Sequence, residues 1–470
     1  MKRFPAESPS PSVTPARNNR PGGGAADNRR HPAGRPLAWA LTLALGFGLS
    51  VPAGSPWAAG ARAAPPAPPA AAAPEPTPNL PPAAIVEQVL LSNPNTKAVA
   101  SQIPVAMANR TQLEAGDYEW TLLLGGQQRQ VNPKSGPDDR FTEWNGDLQR
   151  QIRLPGKADL DRELGDQGVN LAERRRGDAA HEAARQLLKR WFTWLKEGAV
   201  VAQWEGEVAL LKKQAHAVSR RHDLGDAARL ETVQGEAALA QAEAQLAQAQ
   251  GRRDTAAEEL RRLYPDLPLE TQKNVAEPPP LAGDLEQWVE AIVEHSHELG
   301  IAQGDVHHSK TKVARAQSDR LPDPTLGLHL ASERDGEETI VGAYVIVNLP
   351  GPGRSAKADA ALAEASSANE REAAARQKVT AEAANLYQTA RSARISWQSA
   401  SQAATRLVHA ADMTARAYQL GEGSLNDLLT ARRQANEAQL SARLGQLEAL
   451  EANYRLRLDA HRLWDFDRQP

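Results

Sequence analysis

Glu143 to Leu154 reads E-W-N-G-D-L-Q-R-Q-I-R-L, after which the chain passes through Pro155-Gly156 into a long helical pattern. Glu143, Asn145, Asp147, Gln149, Gln151 and Arg153 occupy one set of alternate positions, all polar. Trp144, Gly146, Leu148, Arg150, Ile152 and Leu154 occupy the other. A period of two marks a β-strand, here with one face suited to water and the other mostly to hydrocarbon. Arg150 interrupts the apolar face, and a side chain of that length snorkels to an interface. A strand that crosses a membrane needs about 9 to 11 residues, so the run is long enough to span. Amphipathic strands also build the half-solvated sheets of ordinary sandwiches, and alternation alone leaves both settings open.

Three further runs share this pattern. Leu326, Leu328 and Leu330 alternate with Gly327, His329 and Ala331. Beyond the turn R-D-G-E, Val341, Ala343, Val345, Val347 and Leu349 alternate with Ile340, Gly342, Tyr344, Ile346 and Asn348. A vaguer run covers Trp120 to Val131. Four strands are too few for one chain to close a membrane barrel, which takes at least about eight. The strands therefore belong either to a soluble sheet or to a barrel shared by several copies.

The remainder of the chain is helical and duplicated. Leu154-Pro155-Gly156 recurs as Leu349-Pro350-Gly351, an offset of 349 − 154 = 195, and Leu224-Gly225-Asp226 recurs as Leu420-Gly421-Glu422, an offset of 420 − 224 = 196. Landmarks that agree within one residue indicate a tandem repeat. Each half runs helix, two strands, Leu-Pro-Gly, a very long helix, a glycine turn and a second long helix. The longer helices, 156–222 and 353–419, would each reach about 100 Å at 1.5 Å per residue. Leu440, Leu444, Leu447, Leu450, Tyr454 and Leu458 form a seam at helical spacing, and Ala237, Ala238, Ala240, Ala242, Ala244 and Ala247 are small enough for close helix approach.

Composition agrees with long helices. The 470 residues include only 4% aromatics, a poor supply for a large globular core. A formal charge of −3 gives no general attraction to nucleic acid. The absence of cysteine excludes disulfides, thiolate metal sites, cysteine nucleophiles and lipidation at a cysteine. Arg29, Arg30 and Arg35 precede the apolar run Leu37 to Val51 and the small residues A-A-G-A-R-A-A, which predicts a signal peptide over 1–63. Residues 64–82 form a Pro/Ala-rich linker with nothing to bury. The first repeat covers 83–264, a Pro-rich linker 265–283, the second repeat 284–465 and a short tail 466–470.

These features together resemble the TolC family of outer-membrane channels. The resemblance is carried by the twofold repeat, the Leu-Pro-Gly exit from strand to helix, Pro322-Asp323-Pro324 ahead of the third strand, Asn93-Pro94-Asn95, and the tip motif Gly421 to Leu429. Within the family the strand and tip sequences are most similar to the CzcC-like heavy-metal efflux branch. The resemblance implies a mainly α fold with a small β part, assembled as a homotrimer. Twelve strands then form an outer-membrane β-barrel in contact with lipid, continued into the periplasm by an α-helical barrel. It implies the exit duct of a tripartite efflux or secretion system, passively conducting substrates from an inner-membrane pump of the RND type through a periplasmic adaptor, with heavy-metal cations as the cargo of that branch. The odd-numbered residues 143–153 would then line the barrel lumen. Without cysteine, the barrel alone would anchor the protein.

The same resemblance makes Leu224, Gly225, Asp226, Leu420, Gly421, Glu422 and Gly423 the hairpin tips that meet the adaptor. Glycine suits a turn that needs positive φ. Asp427, and Glu231 by the repeat, fall at an acidic constriction that would act as the periplasmic gate. Acids in the first turn of a helix also simply complement its dipole, and both readings stand. Thr430 replaces the family's next acid. His295, His297, His307 and His308 fall in one helical segment. No pair has the i, i+4 spacing of two ligands on one helical face, so solvated histidines and no metal site or cofactor are expected. The sequence lacks a phosphate loop, G-x-S-x-G and H-E-x-x-H, which argues against an enzyme. The alternative to a duct is a periplasmic coiled-coil adaptor or structural interaction protein with a soluble β-module.

Overall fold

The computed structural model describes residues 77–270 and 274–464. The expected signal peptide, most of the 64–82 linker, and the tail 466–470 lie outside these residues. The first half contains α1 (Ala83–Ser92), α2 (Pro94–Ala100), α3 (Gln102–Ala115), β1 (Trp120–Val131), β2 (Asp139–Gln151), α4 (Lys157–Asp223) and α5 (Arg229–Leu263). The second contains α6 (Leu285–His295), α7 (His297–Ser318), β3 (Thr325–Glu333), β4 (Glu338–Ile346), α8 (Pro352–Gln419) and α9 (Leu425–Asp459). The long helices of the two halves match in length: α4 and α8 have 67 and 68 residues, and α5 and α9 have 35 each.

All four strands form one antiparallel sheet in the order β1-β2-β3-β4. The central pairing joins the two halves, with Asp147 opposite His329 and Leu148 opposite Leu328. Among the described residues, β1 and β4 each leave one edge unpaired. The vaguest run in the sequence, Trp120 to Val131, is a regular strand paired along its whole length with β2.

The helices reverse at two turns of the same geometry. Leu224 and Leu420 share φ −86° and ψ −2°, while Gly225 and Gly421 have φ of 81° and 80°. Asp226 N–H donates to the Arg221 carbonyl at 2.8 Å, and Glu422 N–H donates to that of Ala417 at 2.9 Å. These bonds close a Schellman turn at the end of each long helix, where glycine takes up positive φ without a Cβ clash. The turn that ends α9 repeats the pattern, with Arg462 N–H donating to the Arg457 carbonyl at 2.8 Å. His461 occupies its glycine position, at φ 54°.

The main core lies part-way along α4. Leu187, Leu188, Trp191 and Phe192 pack there with Val86 and Leu90 of α1, Leu260 and Tyr264 at the end of α5, and Leu447, Leu450, Tyr454 and Leu458 of α9. Most of the leucine seam read from the sequence is thus core, and Trp191 and Trp194 fill it. Elsewhere α8 buries small residues, including Ala358, Ala365, Ala404 and Ala411, while its Ala383 and Ala390 pack with Trp288 and Ile292 of α6. The recurrent spacing of seven among these alanines suits a narrow coiled-coil seam.

The linkers are more integrated than their composition suggests. Residues 64–82 were expected to bury nothing, yet Asn79 and Leu80 are buried. Trp191 Nε1 donates to the Asn79 carbonyl and Tyr454 Oη to that of Pro78, each at 2.7 Å. Asn79 in turn accepts from Ala276 N–H and donates to the Asn274 carbonyl, both at 2.8 Å, tying the first linker to the second. Proline-rich backbone has carbonyls to spare, and buried indole and phenol donors need acceptors.

Candidate functional site

The sheet carries its chemistry on two unlike faces. On one, rows run across all four strands: Leu122, Leu148, Leu328 and Ala343, then Leu124, Gly146, Leu330 and Val341. Many of these side chains are bare, Leu124 being 72%, Leu328 61% and Val341 77% exposed. A contiguous, uncovered apolar face marks an interaction surface.

The other face is polar and better covered. Glu143 is buried, and Asn145, Asp147, Gln149 and Gln151 are half-buried. Glu143 accepts from Gln127 Nε2 and pairs with Arg129 Nη2, each at 2.9 Å. His329 Nδ1 lies 2.8 Å from Asp147 Oδ1. The Tyr344 ring lies across Gly327, in the space a Cβ would fill, and its hydroxyl donates to Gln149 Oε1 at 3.1 Å. The five lumen candidates within β2 therefore share one face. Arg153 does not belong with them: β2 ends at Gln151, and Arg153 pairs with Asp161 of α4 at 3.4 Å while its guanidinium covers the Tyr118 ring at 4.5 Å.

That contact belongs to a collar where sheet gives way to helices. Asp323, between two prolines, accepts from Tyr118 Oη at 2.7 Å and Leu154 N–H at 3.0 Å, and pairs with Lys157 Nζ at 2.9 Å. The Lys157 side chain is only 1% exposed, and its ammonium also reaches the Leu321 carbonyl at 2.7 Å and Asp319 at 3.1 Å. Burial alone would raise the Asp323 carboxyl, but the hydrogen bonds from Lys157, Tyr118 and Leu154 outweigh it and hold the group below the usual carboxylate range. Burial, reinforced by the bond to Asp323, pushes the Tyr118 phenol up to about 12.

At the opposite end, the two hairpin tips touch each other. Arg221 donates to Asp226 Oδ2, to the Asp226 carbonyl and to the Tyr418 hydroxyl, each at 2.9 Å. Tyr418 in turn donates to Glu231 Oε2 at 2.9 Å. Burial, and then the bond to Glu231, push the Tyr418 phenol upward. Val218, Ala415, Leu425 and Leu428 form a small apolar cluster beside this chain of bonds. Leu224, Leu420, Gly421 and Glu422 are exposed beyond it.

The two gate candidates differ in setting. Both are the third residue of their helix, but Glu231 is held by Tyr418, whereas Asp427 is exposed. The Asp427 N–H donates to Ser424 Oγ at 3.1 Å, and that hydroxyl donates to Asp427 Oδ2 at 2.7 Å. Asp427 is thus part of the N-terminal cap of α9. Arg221 and Tyr418 were not singled out from the sequence. The signal for them was weak, an arginine four residues before one glycine turn and a tyrosine three residues before the other.

The histidines divide. His307 and His308 stay on α7, where burial, and then the charge of Lys312, depress the His308 imidazolium. His295 and His297 instead meet His181 of α4 and His461 of the turn after α9.

Among the described residues, no helix is long and apolar enough to cross a membrane. No family model and no curated protein matches the sequence. Solved structures do. The OprN outer-membrane channel superposes with a TM-score of 0.67 and 16% identity, over 81% of this chain and 90% of that one. The open-state outer-membrane channel MtrE of Neisseria gonorrhoeae gives 0.63 and 17%, over 80% and 88%. A membrane protein from Pseudomonas aeruginosa gives 0.68 and 14%, over 81% and 92%. The fold of the chain is that of the TolC-type outer-membrane channels.

Proposed function

We propose that the chain is one subunit of an outer-membrane duct. The observation that carries this reading is the sheet, apolar and bare on one face, polar on the other, and open at both edges. Such a sheet is costly in water and incomplete in lipid, since unpaired edge groups have no partner in hydrocarbon. Adjacent strands are antiparallel and four in number, so β1 and β4 run in opposite senses. β4 of one copy can therefore pair antiparallel with β1 of the next, and a ring of three copies closes twelve strands. The polar faces then line a water-filled lumen, and the helical hairpins continue it away from the membrane.

No catalytic step belongs to this role. The conduit is passive, and the work is done by an inner-membrane pump that delivers cargo through an adaptor docked at the hairpin tips around Gly225 and Gly421. The Arg221, Tyr418 and Glu231 contacts hold the two hairpins of a subunit together and form the closing latch. Exposed Asp427 residues, three per ring, would favour cations over anions. Heavy-metal cations are the cargo that the CzcC-like resemblance suggests.

The test is to extract the protein from the outer membrane in mild detergent, measure particle mass, and record from planar bilayers. A conducting trimer whose cation selectivity falls in Asp427→Ala supports the duct and its acidic ring. A soluble monomer or dimer without conductance overturns the reading in favour of a coiled-coil rod.

A further inference from the structure

Where α4, the junction of α6 with α7, and the turn after α9 meet, four imidazoles converge. His181 and His461 stack at 5.0 Å between ring centroids with planes 10° apart. His297 lies 5.6 Å from His181 and 5.1 Å from His461, and His295 lies 5.4 Å from His461. One ligand nitrogen from each of His181, His297 and His461 falls within 4.8 Å of the others. A cavity of about 60 Å³ opens on the group. We propose that His181, His297 and His461 form a binding site for a divalent transition-metal cation of the class that prefers imidazole, with zinc as its representative.

The surroundings are those of a ligand set rather than of packing histidines. His181 Nε2 lies 3.1 Å from Asp459 Oδ1, and the Asp459 side chain is only 2% exposed. A buried carboxylate that accepts from one ring nitrogen fixes the tautomer and turns the lone pair of the other outward, the usual support behind a metal-bound imidazole. Arg185 and Arg455 hold that carboxylate from its other sides at 2.8 Å and 3.0 Å. His297 is the first residue of α7, so its ring is placed by the start of a helix rather than by a loose loop. Asp178, Arg185, Glu298 and Glu382 also line the cavity, with Glu298 paired to Lys378 at 2.9 Å, so acids outnumber the one lining arginine.

His461 gives the independent argument. It stands at positive φ in a turn whose two counterparts carry Gly225 and Gly421. Local backbone geometry favours glycine there, so the imidazole is placed against the conformational preference of its own position. Three imidazoles with room for a further ligand suit zinc, and similarly nickel or copper. The ion would tie the end of the second repeat to α4 of the first. This inference does not depend on the duct reading, because the site joins helices away from both sheet and tips.

The experiment uses the full chain purified in mild detergent, stripped with chelator, and titrated calorimetrically with Zn²⁺, with Co²⁺ absorption as a readout of coordination. One ion per chain, a rise in melting temperature on loading, and a tetrahedral Co²⁺ spectrum are expected. His461→Gly removes a ligand while restoring the residue its backbone prefers, so it folds, and it should lose at least about tenfold in affinity. His297→Gln should do the same, and His307→Gln should bind as the parent does. Absence of Zn²⁺ binding by the parent, or equal affinity in His461→Gly, overturns the site.

Discussion

Lys157 Nζ and Asp323 Oδ1 lie 2.9 Å apart, joining the first turn of α4 to the two-proline segment that enters β3. The pair bridges the two halves of the chain at the level where strands become helices. Removing Asp323 leaves the buried Lys157 ammonium with only the more exposed Asp319 and the Leu321 carbonyl as partners. Asp323→Asn is expected to destabilise the folded chain by about 3 kcal/mol, read as a lower urea midpoint in detergent. A change within error would mean that the collar is held by its backbone bonds alone.

The same carboxylate sets a pH dependence. Its folded pKa is depressed, so its contribution is fully present above the unfolded carboxylate value, about 4, and is lost as pH falls through the folded value. The stability difference between the parent and Asp323→Asn should therefore be constant from neutral pH to about pH 5 and shrink in stronger acid. Denaturation curves taken at stepped pH measure it. A difference that grew on acidification would have the wrong sign.

The two faces of the sheet predict opposite tolerances. Leu328→Lys puts a charge on the bare apolar face and should cost about 3 kcal/mol if that face meets lipid. Gln149→Lys, on the neighbouring position of the polar face, should insert nearly as the parent does. Quantifying heat-modifiable oligomer in outer-membrane fractions compares them. Equal recovery of both would place the sheet in water.

The tip contacts predict a gain of conductance. Tyr418→Phe deletes the hydroxyl that donates to Glu231 and accepts from Arg221. At about 1 kcal/mol per net bond, each loss shifts a closed-to-open equilibrium about fivefold. Single-channel recordings should show longer open times in Tyr418→Phe and Glu231→Ala, each of which removes one side of the bond. Unchanged gating in both would assign the contacts to assembly.

Much of this architecture was legible because it is periodic. The alternation of β2, β3 and β4 announced both strands and faces, and the paired Leu-Pro-Gly and Leu-Gly landmarks fall where a strand gives way to a long helix and where that helix ends. Trp120 to Val131 was harder to read, since Leu122, Leu123 and Leu124 run together and blur the period. Convergence was illegible. His181, His297 and His461 come from three separate places in the chain, so no spacing rule within one helix brings them together. Asn79 looked like spacer for a related reason: its value lies in a backbone carbonyl offered to Trp191, and sequence patterns register side chains. Arg153 kept the alternation beyond the end of the strand because an ion pair with Asp161 wants the same residue type as a wet wall.

Gly327 shows what a missing side chain can specify. The Tyr344 ring occupies the slot over it, and the hydroxyl reaches on to Gln149, so one aromatic residue spans three strands. Because side chains alternate, a slip of β4 by one residue would send that ring to the opposite face and set Ala343 or Val345 over the slot. The alignment of the sheet is thus written partly as empty space, legible only to a neighbour of the right shape, and filling that space with a single methyl group would erase the mark by which β3 and β4 find their place.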